Sequence, residues 1–175
     1  MLTQLRFHGL RHRLGLATCS ELRQIADSAL EAGIYSPSLV DAALDAEEEL
    51  WEIGTAFEKA LTELGITLPT SQEECCWEIL SHHIEQIANK EVEPLKGLEE
   101  LMKVYRGCQI HEQSKDYVGD SHDIHYLVGA YWGYDELFER PQEITYKELK
   151  AEAAFLELDA DVINMCKVWL GKHAV

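Results

Sequence analysis

Apolar residues recur every three to four positions along most of this chain, and no stretch alternates with the two-residue period that a sheet requires. That pattern confines the chain to packed helices. The expected fold is all-α, a single-domain bundle of about five to seven helices. Within it a basic N-terminal segment (1–19) precedes an acidic helical core (20–106), a loop (107–121) and aromatic C-terminal helices (122–171). A length of 175 residues with 46% apolar side chains is enough for a real core in one domain.

Punctuation residues place the helices. Ser20 can cap a helix running to Ala32, which Gly33 ends. Ser36-Pro37 is a strong start, and the helical pattern then continues to Leu64, closed by Gly65. Ala43, Leu50, Phe57 and Leu64 recur every seven residues, with Ala46, Ile53 and Ala60 three later. This a/d stripe reads either as a dimerising coiled coil or as a long bundle helix packed in its own domain, and its many alanines favour the second. Gly54 is a candidate bend in it.

Thr70-x-x-Glu73 reads as a capping box opening a helix to about Asn89, so that 37–64 and 71–89 form a long antiparallel hairpin. Pro94 starts a shorter helix that Gly107 stops, and an aromatic helix is expected from His122 to Tyr134. A second box, Thr145-x-x-Glu148, opens the last helix toward Leu170. That helix carries two stripes, Leu149/Ala153/Leu156/Ala160/Ile163 and Phe155/Leu158/Val162/Cys166/Trp169, with a possible break near Asp159.

Charge excludes whole classes of partner. The chain holds 32 acidic against 15 basic side chains, a net of −17, so nucleic acid and anionic membrane are not expected partners. The excess is uneven. Residues 1–19 contain Arg6, Arg11 and Arg13 and no acid, while residues 20–104 net −14. The basic segment faintly resembles an organelle transit peptide, but it is expected to pair with the acidic bundle of its own chain or of a neighbour. No apolar run approaches the ~18–20 residues of a membrane span, and no apolar core of a secretory signal follows the start. The five cysteines show no C-x-x-C spacing, which points to reduced thiols in a cytoplasmic protein.

Chemistry-bearing clusters are few. His122 and His125, three apart, would share a helix face, and a carboxylate from Asp116 or Asp120, with His111 nearby, would complete a divalent metal site. The competing reading is a helix start with surface histidines. No other cofactor is expected. His83 lies on the apolar line of Ile79 and Ile87 and reads as a core histidine, while His82, a turn after Glu78, could pair with it outside. Phosphate loops and the G-x-S-x-G elbow are missing, and Gly129-x-x-x-Gly133 reads as close helix packing. No catalytic residue is marked, and an enzyme is the less expected outcome.

The leading expectation is an acidic protein-binding module that captures a basic partner, as an immunity protein or antitoxin does. Its candidate contacts are Glu47, Glu48, Glu49 and Glu52 together with Tyr126, Tyr131, Trp132 and Tyr134 in the aromatic stretch 126–138. The alternatives are a small metal-dependent hydrolase built on His122 and His125, and a structural protein that associates with itself as a homo-oligomer.

Overall fold

A computed structural model of the chain describes residues 1–44, 50–113 and 115–173. They are all-helical, with eight α-helices, two single-turn 3-10 segments and no strand among the described residues. The helices are α1 Leu2–Arg13, α2 Cys19–Glu31, α3 Pro37–Ala43, α4 Leu50–Glu63, α5 Gln72–Ala88, α6 Pro94–Gly107, α7 His125–Glu139 and α8 Ala151–His173. Two compact units emerge, Met1–Ile79 and Leu80–Val175, and the division falls inside α5.

In the first unit α4 packs on α1, α2 and α3, and α2 also packs on α1 and α3. Leu5, Leu22, Ala26, Leu39, Ile53, Phe57 and Leu61 form the buried centre. The heptad positions Ile53, Phe57 and Ala60 are thus covered by helices of the same unit. The long helix expected over 37–64 is two helices, because Leu44 leaves α3 in an extended conformation (φ −80°, ψ 136°). Glu47, Glu48 and Glu49 lie outside the described residues.

α1 docks as its charge suggested. Arg6 pairs with Glu78 (Nη2–Oε1 3.0 Å), Arg11 with Glu21 (2.7 Å) and Arg13 with Glu58 (3.0 Å). Half-exposed pairs of this kind contribute about 0.2–1 kcal/mol each. Close approach does the rest. A Cβ at Gly9 would lie 2.4 Å from Leu61 Cδ1, and one at Gly54 2.1 Å from His12 Cε1. Gly54 is therefore no bend. It makes room for the His12 ring.

Two caps sit one or two residues away from their expected places. Thr18, not Ser20, caps α2, with a reciprocal box to Glu21. Ser71, not Thr70, accepts from the Glu74 N–H (3.1 Å) ahead of α5. At α2 the reason is in the sequence: Thr18 is followed three positions later by Glu21, whereas Ser20 is followed by Arg23.

In the second unit α7 packs on α6 and α8, and α6 also meets α8. α8 runs unbroken for 23 residues. It buries one stripe, Ala154, Leu158, Val162, Cys166 and Trp169, while Leu156 on the other stays 64% exposed. No capping box forms at Thr145: Tyr146 and Leu149 are bonded to each other across a tight turn, and α8 starts at Ala151. Gly107 is the last residue of α6 rather than its stop, and Gln109 takes the left-handed position (φ 52°). Gly129 faces open space, and Gly133 meets only Leu158 at 3.8 Å, so that pair makes no close helix contact.

Candidate functional site

The loop before α7 decides the fate of the metal candidates. α7 begins at His125, not His122, because Asp123 is left-handed (φ 54°) and Asp120–His122 is a 3-10 turn. His122 and His125 therefore do not share one helix face. His122 is buried, its Nδ1 2.9 Å from Ser121 Oγ and its carbonyl accepting from Trp169 Nε1 (3.0 Å). The His125 ring is tilted against Tyr126 (centroids 3.9 Å) and meets Tyr117 edge-on (4.7 Å), with its Nδ1 buried and without a hydrogen bond. Asp116 is exposed and gives its N–H to Asp120 (2.7 Å), and His111 is exposed beside the Tyr105 ring (5.8 Å). Among the described residues no three His, Cys, Asp or Glu side chains are arranged to hold a metal ion, so these four are not brought together.

Two carboxylates organise the region: Asp120, a candidate third ligand from the sequence, and Asp123. Asp120 accepts backbone N–H groups of Asp116, Lys115 and Tyr117, and those bonds, Asp116 first, hold it below the usual carboxylate range. Asp123 accepts from Lys172 (2.9 Å) and lies 3.4 Å from His173 Nε2, and Lys172 chiefly depresses its pKa. Each takes its role from a loop conformation or a distant helix, and neither role leaves a signal in local sequence.

His83 is buried as expected, and His82 touches it edge-on (5.7 Å). Glu78 accepts from Arg6 through both its oxygens. All five cysteines are free thiols, three of them buried.

The aromatic candidates separate into inward and outward sets. Tyr134 is 2% exposed and donates to Asp159, and burial first, then Asp159, pushes its hydroxyl far above its ordinary pKa. It belongs to the core. Tyr131 and Glu52 are half-buried. Tyr126 (63% exposed) and Trp132 (48% exposed) face solvent. Tyr126 stands on the lip of a shallow groove of about 300 Å³ between α7 and α8, whose walls include Leu127, Met165, Val168 and Trp169.

Trp132 has a different neighbourhood. Asp135, Glu136 and Glu139 follow it at i+3, i+4 and i+7, so the indole and three carboxylates share one face of α7. All three acids are exposed, and among the described residues none is in an ion pair. They stand in the last five residues of α7, where the helix dipole is negative and the last turn holds no basic residue, Arg140 following at the C-cap. Acids at that end cost the helix stability. Only Trp132 of this face was legible beforehand, although the i, i+3, i+4, i+7 spacing could have found the other three.

The chain matches no protein family, no curated protein and no solved structure. Among the described residues no helix is long and apolar enough to cross a membrane.

Proposed function

We propose that this protein is an acidic protein-binding module that captures a basic partner through the Trp132 face of α7. One observation carries the reading: an exposed indole shares a helix face with three exposed carboxylates, which stand at the end of the helix where the dipole disfavours them. Positions that oppose local stability are where function is expected to reside. A lysine or arginine over the Trp132 ring would add a cation–π contact of about 0.5–2 kcal/mol to the ion pairs around it. The surrounding net charge of −17 would draw such a partner in and make association salt-sensitive. Exposed Trp51, which adjoins the acidic run 45–49 in sequence, is a second place for the same chemistry. Free thiols fit a reducing compartment, and we place the protein in the cytoplasm.

The test is parallel affinity capture with the wild type and with a Trp132→Ala, Glu136→Gln bait of unchanged circular dichroism. A basic protein held by the wild type, released in one salt step and missing from the variant is the expected result. Equal capture by both baits, or a captured set that salt does not release, would end this reading.

A further inference from the structure

The connection from α7 to α8 holds a backbone conformation that its residues do not favour. Tyr146 and Leu149 exchange two backbone hydrogen bonds (3.0 and 2.9 Å), and the two residues between them are both left-handed: Lys147 at φ 47° and Glu148 at φ 67°. A two-residue turn of this kind is the place for Asn-Gly, because a Cβ is penalised at both positions. Here a lysine and a glutamate occupy it, and Ala151, two residues on, is left-handed as well (φ 50°). Each such residue is strained and persists only where contacts from outside the turn hold it.

What holds the turn is a set of charged contacts to one face of α8. Lys147 Nζ lies 3.0 Å from Glu157 Oε1 and 2.6 Å from Asp161 Oδ2, and Tyr146 donates its hydroxyl to the same Asp161 (2.6 Å). Glu157 and Asp161 are one helical turn apart, so a single ammonium spans both. Lys150 Nζ adds a bond to the Gln142 carbonyl (2.8 Å). Lys147 in turn keeps Asp161 below the usual carboxylate range, while burial and then Asp161 push the Tyr146 hydroxyl up to about 12. The turn is open to solvent: Lys147 is half exposed, and Leu149 is 38% exposed.

We propose that residues 146–149 are a charge-operated strap, shut by the Lys147 ammonium on Glu157 and Asp161 and opened by its own backbone strain when that pairing is screened or displaced. The two terms oppose each other and answer to different conditions: a half-exposed ion pair weakens with salt, whereas the strain of two left-handed residues does not. Opening would free 140–150, the stretch that follows directly on the acidic end of α7. The strap does not depend on the partner-capture reading.

Amide hydrogen exchange of the full chain tests it, read at Leu149, whose N–H is bonded to Tyr146 only while the strap is shut. Lys147→Ala should speed exchange at Leu149 roughly fivefold, the factor that a pair worth ~1 kcal/mol represents, with amides in the middle of α8 unmoved. In the wild type, ~1 M NaCl should do the same. The paired change Lys147→Asn with Glu148→Gly removes the clamp and the strain together, and its strap should stay shut at every salt concentration. Exchange at Leu149 that ignores both Lys147→Ala and salt overturns the proposal. So does an Asn-Gly strap that opens as readily as the alanine variant.

Discussion

The two units close their helix ends by different means. In Met1–Ile79 every described residue with positive φ is a glycine: Gly15, Gly33 and Gly65. Each stands just past a helix, and in each case the residue after it bonds back to the last turn, as Leu16 does to Arg11, Ile34 to Ala29 and Ile66 to Leu61. In Leu80–Val175 the same closure recurs after α5, where Glu91 bonds back to Gln86, but the left-handed residue is Lys90. Gln109, Asp123, Lys147, Glu148 and Ala151 are left-handed too. The first unit satisfies its backbone locally. The second carries strain and pins part of it with side chains, Asp123 through Lys172 and Lys147 through Asp161.

The largest effect expected from this comparison is at the α1–α4 crossing, where the first unit has no slack. Gly9→Val puts a branched side chain against Leu61, which is 1% exposed, and should cost about 2–3 kcal/mol in urea unfolding. Hydrogen exchange should show α1 losing protection before α2 and α3 do. A loss under half a kcal/mol would mean that the arginine pairs, rather than close packing, seat α1.

Next come the helix ends, and here the two units should respond with opposite signs. Gly65→Ala forces a Cβ into the left-handed region and should destabilise by about 1–2 kcal/mol. Gln109→Gly, at the equivalent position after α6, should stabilise by about 0.5–1 kcal/mol. Matched urea midpoints decide it. A destabilised Gln109→Gly protein would break the contrast between the units outright.

This contrast also explains how much of the fold was legible beforehand. Gly33 and Gly65 stop their helices where the residue type says they should, and Pro37 and Pro94 start theirs. The arginines of 1–19 found the acids they were expected to find. Sequence reading lost its grip where a left-handed residue is not glycine. Asp123 resets the start of α7 to His125, which undoes the His122/His125 pair, and the Lys147-Glu148 turn replaces the box at Thr145. Neither conformation has a local cause. Asp123 is held by Lys172, 49 residues away, and Lys147 by Asp161, 14 away, and no window of neighbours carries that information. The acidic face beside Trp132 was missed for another reason: charges near a helix end read as ordinary solvation until their position along the dipole is known.

A smaller effect is expected from the charges themselves. Arg13→Ala removes the pair to Glu58 and a bond to the Pro69 carbonyl, and it should cost the first unit about 0.5–1 kcal/mol at low salt and less at ~1 M NaCl. A cost that salt does not reduce would assign the role of Arg13 to its carbonyl bond.

The smallest effect is a pH dependence that both units share in kind and that separates them by residue. His8 in α1 and His82 in α5 have pKa values lowered from 6.5, in both cases chiefly by burial; Arg11 lowers His8 further, and Glu85 and Glu91 oppose the shift at His82. A lowered folded-state pKa means that the unfolded chain binds the proton more readily. The stability tied to each ring is therefore fully present above pH 6.5 and is lost as the pH falls toward and through the folded value. Glu21, Asp123 and Asp161 are depressed carboxylates, and their loss belongs to a lower window, below about pH 4. Amide exchange followed from pH 7 to 5 should show α1 and residues 80–88 of α5 loosening first. His8→Gln should flatten the α1 response and leave α5 alone, and His82→Gln should do the reverse. If either variant flattened both, the two units would be sharing one titration, and the division that organises the comparison would not hold in solution.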